Sequence, residues 1–591
     1  MAIGLGCMRL STGDTRDEGR AIAVIHAALD AGATLLDTAD AYCEDDRDIG
    51  HNERLIALAL GNWTGDRTAI TVATKGGLRR PKGQWANDGR AKHLKEACDA
   101  SRAALGVERI DLYQLHAVDP KVDIETSVRA LATLQHQGKI RDIGLCNVTI
   151  TQIERARAIA DITTVQVSLS VFDDENLRNG VAEHCRDHGI RVVAYRPLGG
   201  DRVKRLAREA TVGAIAAKHR VQPADVALAW LMDFDGVTPI PGATRVNTAQ
   251  ALSRALALRL DDDDRRALDE RFSGRLLRVP RARRRPAASA DGEVVIVMGM
   301  PGAGKTTFAR TLEGRGYTRL NRDAIGGGLA DLIPRLDAAL TEGTSSVVLD
   351  NTYPTRAARN AVIETAWARG RQVRCLWLAT TIGDAQLNAI HRMIDAHGSL
   401  PSSAEIRARG GDDPRYLLPD AQFRYERMLE PPTLDEGFTA VERIDFSREA
   451  DGESGARAII LDADDLLDAG TANAERRRAT LATLRDDGWL LFAHAWRPEI
   501  ARETTTAAAV EEELDRLRRE LGEIDLAYCE HDAGPPVCWC RKPIPGSVVA
   551  FAHRRGVSLC KSIVVGKPGA DRTMAERIGA RFELSDAFFH T

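Results

Sequence analysis

For roughly its first 270 residues the chain alternates short apolar runs with longer stretches of helical periodicity. Thr34-Leu-Leu-Asp37, Ala69 to Lys75, Ile110 to His116, Ile140 to Asn147, Thr163 to Val167, Arg191 to Tyr195 and Val237 to Gly242 read as strands. With the opening Ile3-Gly-Leu-Gly-Cys7 they make eight, and eight strands separated by helices predict a TIM (β/α)₈ barrel over 1–274. Polar residues stand where these strands end: Asp37, Lys75, His116 and Asn147. The pattern then breaks at 275–291, a run with six arginines and two prolines that predicts a basic linker. Apolar strands resume at Val294 to Met298, Ser345 to Asp350 and Val373 to Leu378, and Thr318 to Asp323 places a carboxylate after a further short strand, predicting a parallel α/β core over 292–449. Ala458 to Asp462 opens a third α/β segment, 455–591.

Length agrees with several domains, since 591 residues exceed one ordinary core. A net charge of −4 advertises no global affinity for nucleic acid, so any such site must be local. The linker arginines could be such a site or merely a solvated run. No apolar run spans a bilayer, no signal segment opens the chain, and the scattered cysteines are no disulfide framework. A cytoplasmic protein with no membrane partner is the expectation.

Gly299-Met-Pro-Gly302-Ala-Gly304-Lys305-Thr306 lies between an apolar strand and a helical pattern, the context a phosphate-binding loop requires. Its glycines let backbone N–H groups face phosphate oxygens, and the helix N-terminus adds positive potential. Lys305 would reach the β- and γ-phosphates of ATP, Thr306 with Thr307 beside it would face phosphate and Mg²⁺, and Asp350 ends a strand in a Walker-B-like position. Together with Asn321-Arg-Asp323-Ala-Ile-Gly326, Val347 to Thr352, Arg374-Cys375 and Pro432-Thr-Leu-Asp-Glu-Gly-Phe438, the loop resembles the kinase domain of polynucleotide kinases. The resemblance implies Asp323 as the base that deprotonates a 5′-hydroxyl and Arg392 as a lid arginine that neutralises the moving phosphoryl. Asp323 could instead cap a helix. The stretch from Ala404 to Arg415 reads as a strand-binding loop or a lid.

In the first segment Asp37-Thr-Ala-Asp-Ala-Tyr42, Lys75, His116, Gly144-Leu-Cys-Asn147, Gln166, Tyr195-Arg-Pro-Leu-Gly and Ile240 to Arg245 fall in the order of the aldo-keto reductase family, which this segment resembles throughout. That implies a proton from Tyr42 to the alkoxide made by hydride delivery. Lys75, paired with Asp37, would lower the Tyr42 pKa towards neutrality, and His116 would orient the carbonyl. Asn147 and Gln166 would hold the carboxamide, Tyr195 would stack on the nicotinamide, and Thr244 and Arg245 would meet the NADP(H) phosphate. Ala251 and Leu252 stand where the family carries residues that grip adenosine. Asp37 and Lys75 alone could equally be a structural ion pair.

The third segment resembles haloacid-dehalogenase-type phosphatases, a Rossmannoid fold, with Asp462 as nucleophile and Asp464 as acid and base. Cys529, His531, Cys538 and Cys540 form a closed four-ligand zinc set like the zinc loop of histidinol and heptose-bisphosphate phosphatases. Lys542 matches the phosphate-neutralising lysine, and Asp462 with Asp571 could hold Mg²⁺. Two departures point to an inactive module: Ala493 replaces the hydroxyl residue expected at the end of the second strand, and Lys567, where an Asp belongs, would pair with Asp462. The expected function is ATP-dependent phosphorylation of DNA or RNA 5′-hydroxyl ends, fused to an NADP(H)-dependent reductase of a carbonyl or aldehyde. The alternative is a metabolic fusion of a carbonyl reductase with a small-molecule kinase.

Overall fold

The computed structural model describes residues 2–12, 16–287, 292–410, 413–446, 455–467, 471–532 and 537–590. The chain forms two compact units, 1–284 and 285–591. The expected domain boundary at 449–455 and the end of the expected linker, 288–291, lie mostly outside the described residues.

In the first unit the eight strands of the barrel sheet are β1 (Gly4–Gly6), β2 (Leu35–Asp37), β3 (Thr71–Gly76), β4 (Ile110–Leu115), β5 (Ile140–Cys146), β6 (Ile162–Ser168), β7 (Arg191–Tyr195) and β8 (Val237–Ile240), beside a short antiparallel pair, Leu78–Arg79 with Ala86–Asn87. The eight pair in parallel in chain order. A parallel bridge between Gly6 and Gly242 brings the last strand back to the first. A side chain at Gly6 would lie 3.0 Å from the Ile240 carbonyl, so glycine permits the approach that joins the ends. Leu35, Ala73, Leu112, Val193 and Ile240 fill the interior and floor the polar strand ends.

The arginine-rich stretch departs from a solvated linker. Arg275–Arg278 and Arg281–Arg284 are helical turns. Arg278 pairs with Asp233 at 2.9 Å and with Asp269, and Arg284 is buried against Glu183 at 3.1 Å. These carboxylates belong to the barrel unit, so the cations are held there. The composition of the run hid this because two of its partners, Asp233 and Glu183, are distant in sequence.

The second unit holds two five-stranded parallel sheets. In the first, β9 (Glu293–Met298), β10 (Thr318–Leu320), β11 (Val347–Asp350), β12 (Gln372–Leu378) and β13 (Val441–Ile444) stand in the order β10-β11-β9-β12-β13. In the second, β14 (Ala458–Asp462), β15 (Leu490–Trp496), β16 (Asp525–Cys529), β17 (Ile563–Gly566) and β18 (Arg581–Leu584) stand in the order β16-β15-β14-β17-β18. The central strands β9 and β14 are apolar and almost wholly buried, as strands covered on both faces must be. No helix among the described residues is long and apolar enough to cross a membrane.

Candidate functional site

The strand ends of the barrel bring together the polar residues expected there. Lys75 Nζ, buried on β3, donates to Asp37 Oδ1 at 2.7 Å, the Thr38 carbonyl at 2.7 Å and Tyr42 Oη at 3.1 Å. Burial pushes this ammonium down most strongly of any single cause, but Asp37, Tyr42 and Cys146 together hold Lys75 above the ordinary lysine range. The Tyr42 phenol departs from the expectation: burial raises its pKa, and the attraction of Lys75 offsets only part of that. His116 meets Tyr42 edge-on at 5.5 Å between ring centroids. Burial and Lys75 push its pKa well below the histidine range, so the imidazole is neutral. Its Nδ1 is buried and has no hydrogen-bond partner among the described residues, a demand that a bound oxygen could satisfy.

The cofactor candidates ring the same end. Tyr195 Oη donates to Asn147 Oδ1 at 2.9 Å, and Gln114 Nε2 donates to Gln166 Oε1 at 2.9 Å. Asn147 has φ of 54°, a backbone that sets its side chain beside Tyr195. Thr244 and Arg245 are exposed after β8, whereas Leu252 is buried in the barrel core and is committed to packing. Sequence reasoning missed Arg196 and Arg202, which line a cavity of about 150 Å³ with Ser168, Ser170 and Asp173. The signal lay next to Tyr195: Arg196 has φ of 50°, unusual for a side chain of its size.

In the second unit the glycine-rich loop joins β9 to the helix Lys305–Glu313. Gly302 has φ of 90°, and a Cβ there would lie 2.2 Å from the Ala385 carbonyl, so no other residue fits without moving that backbone. The loop opens into a cleft of about 1710 Å³ whose lining includes Gly304, Lys305, Thr306, Thr307, Asp323, Asp350 and Arg392. Gly299, the first residue of the loop, is not among the lining residues. Lys305 Nζ donates to the Met300 carbonyl at 2.8 Å. Burial pushes its pKa down to about 8, against the pull of Asp350 and Asp323. Thr306 Oγ1 lies 3.1 Å from Asp350 Oδ2, close enough for both to share a metal.

Three features here were not foreseen. Asp350 accepts two bonds of 2.9 Å from Arg319, a residue of β10 with no motif around it. The helix after β10 is capped by Asn321, which accepts from the Ala324 N–H, so Asp323 is not the cap; it pairs with Arg322 at 3.0 Å. Pro432 to Phe438 works as architecture: Glu436 and Arg359, both fully buried, form a two-bond ion pair at 2.6 and 2.7 Å. Arg359 also donates to the Tyr353 carbonyl, within the turn that follows β11.

At the end of β14, Lys542 Nζ sits between Asp462 Oδ2 at 2.5 Å and Asp571 Oδ1 at 2.7 Å. Burial opposes its charge, but the two carboxylates raise its pKa. The ammonium that occupies this position is thus Lys542; Lys567 pairs instead with Asp465 at 2.7 Å. Asp464 is held by Arg497 at 2.5 Å. Ala493 does not end its strand, which continues to Trp496; His494 stands opposite Asp462.

Cys529, His531, Cys538 and Cys540 place one ligand atom each within 4.8 Å of one another. Cys529 Sγ lies 3.7 Å from both Cys538 Sγ and His531 Nδ1. A tetrahedron with Zn–S bonds of about 2.3 Å has edges of about 3.8 Å, so these residues fit zinc.

Comparison with known proteins matches residues 2–271 to the aldo/keto reductase family and residues 294–386 to an AAA domain. The chain is 33% identical over 301 residues to probable aldo-keto reductase 1 of Glycine max, covering 45% of this chain and 84% of that protein. Among solved structures, the thermostable aldo-keto reductase Tm1743 is 26% identical over 46% of this chain and 95% of its own, with a TM-score of 0.40. The glycerol dehydrogenase AKR11B4 of Gluconobacter oxydans is 25% identical over 46% of this chain and 91% of its own, with a TM-score of 0.41. On its sequence match and its buried Asp37–Lys75–Tyr42 cluster, the chain belongs to the aldo-keto reductase family through its first 271 residues, and it carries a P-loop domain behind them.

Proposed function

We propose that the chain couples two activities: NADP(H)-dependent reduction of a carbonyl compound by the barrel, and ATP-dependent phosphorylation of a polynucleotide 5′-hydroxyl by the P-loop domain. For the barrel, the supporting observation is the Lys75 ammonium within 3.1 Å of Tyr42 Oη. A bound nicotinamide supplies the hydride. Tyr42, whose high pKa keeps it protonated, gives its proton to the alkoxide as that charge develops, and Lys75 stabilises the phenolate left behind. Neutral His116 orients the carbonyl oxygen. Asn147, Gln166, Tyr195, Thr244 and Arg245 would hold the cofactor, and substrate identity would rest with the rim loops.

For the P-loop domain, the supporting observation is the cleft itself. Small-molecule pockets occupy about 300–1,000 Å³. This cleft is larger and counts Arg322, Arg392 and Arg424 in its lining, which favours a strand over a small alcohol. Asp323 would take the hydroxyl proton, Lys305 and Arg392 would neutralise the phosphoryl group, and Thr306 with Asp350 would hold Mg²⁺. In the third domain, Lys542 between Asp462 and Asp571 stands where a phosphate-neutralising lysine would, so the reading of a zinc-stabilised module without phosphatase turnover rests on Ala493 and on the absence of an Asp at position 567. The test is transfer of γ-phosphate from ATP to a 5′-hydroxyl oligonucleotide by the wild type, Asp323→Ala and Lys305→Ala. Transfer abolished by both substitutions supports the reading. No transfer to DNA or RNA, with transfer to a small alcohol, would replace it with the metabolic fusion.

A further inference from the structure

The zinc-type loop does not end at its own domain. Trp539, between Cys538 and Cys540, is 2% exposed and belongs to one hydrophobic cluster with Leu387, Ile390, Met393 and Ile394. Those residues lie on the helix Ile382–His397 of the P-loop domain. The opposite side of that helix serves the phosphate cleft: Asn388 Nδ2 donates to the Gly302 carbonyl at 2.9 Å, and Arg392 lines the cleft. Trp539 Nε1 also donates to the Leu417 carbonyl at 2.7 Å. Leu417 and Tyr416 line the cleft as well, and Tyr416 stacks on His397 with ring centroids 4.2 Å apart. One indole therefore braces two walls of the cleft, and both of its chain neighbours are candidate metal ligands. A second brace lies nearby, where Arg577 donates to the fully buried Gln386 at 2.7 Å.

We propose that the metal site formed by Cys529, His531, Cys538 and Cys540 is a positioning device for the phosphate cleft of the neighbouring domain, acting through Trp539. The inference rests on the readings that this tetrad binds zinc and that the cleft binds ATP. A tetrahedral ion cross-links both neighbours of Trp539 to Cys529 at the end of β16, which removes the freedom of the indole to leave its seat. Without the ion, the hydrogen bond to Leu417 competes with the conformational entropy of the segment that carries the indole. Trp539 is a positioning residue in this scheme, remote from the reacting atoms.

The experiment uses the full chain and three readouts: zinc content by a colorimetric chelator, affinity for a fluorescent ATP analogue, and the rate of tryptic cleavage after Arg409 and Arg415. The wild type should hold one zinc per chain. Trp539→Leu should keep that zinc, bind the analogue roughly fivefold to tenfold more weakly, and be cut faster at the two arginines. Cys538→Ser and chelator-stripped wild type should show the same losses, and zinc should restore the stripped protein. Unchanged affinity and cleavage in both Trp539→Leu and the stripped chain would overturn the proposal. A chain that binds the analogue but takes up no zinc would overturn it through the metal reading, and a zinc-loaded chain that binds no analogue would overturn it through the nucleotide reading.

Discussion

Lys305 and Tyr42 show how burial decides the chemistry of a single side chain. Burial costs the Lys305 ammonium and brings its pKa to about 8. Phosphate oxygens would favour the charged form, so nucleotide binding above about pH 8 should take up a proton. Calorimetry in two buffers of different ionisation heat measures it: uptake should rise from near zero at pH 7 towards one proton as pH passes 8, and Lys305→Arg should abolish the rise. Linkage has the matching sign, because a lysine with a depressed pKa binds fewer protons folded than unfolded above pH 8, so this group favours folding more as pH rises. At Tyr42, burial raises the phenol pKa and Lys75 compensates in part. Tyr42→Phe should cut carbonyl turnover by about 10²–10⁴-fold while NADPH binding, followed by fluorescence, is retained. Asp37 and Lys75 were legible because each stands at a predicted strand end, whereas Tyr42 came from the likeness to the aldo-keto reductases. Arg319 was not, since its role depends on β10 lying against β11.

At the scale of elements, two stretches change meaning once their partners are visible. The Glu436–Arg359 pair ties the segment before β13 to the helix Arg356–Ala368 with both charges withdrawn from water. Removing one partner strands the other, so Arg359→Met should destabilise the second unit by about 3–5 kcal/mol in urea unfolding. Arg359→Met with Glu436→Leu should recover much of that loss. The arginine-rich stretch is the second case. A fragment ending at residue 274 lacks Arg278 and Arg284, leaving Glu183 without either Arg281 or Arg284. Thermal unfolding of 1–274 beside 1–284 should show the shorter fragment melting at lower temperature. Linker composition and a docked basic tail look alike in sequence, because the difference lies in carboxylates about a hundred residues away.

At the scale of the whole molecule, net charge is −4 and cannot draw in a polyanion, so strand binding must rest on local cations. If Arg322 and Arg424 meet strand phosphates, two contacts predict a slope of about −1.4 for log affinity of a 5′-hydroxyl oligonucleotide against log salt. Anisotropy titrations at several salt concentrations measure it, and a slope near zero would argue against a strand. What the sequence by itself determined is periodic and local: eight barrel strands, the glycine-rich loop, the carboxylate at the end of β14 and the closely spaced Cys-x-His and Cys-x-Cys pairs. Hydrophobic period and short-range spacing encode such features because their physics acts over one strand, turn or loop. Only the tertiary structure decided which charge meets which: Lys542 rather than Lys567 at Asp462, Arg319 at Asp350, Arg284 on the barrel, and Trp539 under the cleft wall. Long-range partners are chosen by packing geometry, where a few ångströms separate a buried ion pair from two solvated ions, and no local pattern carries that distance.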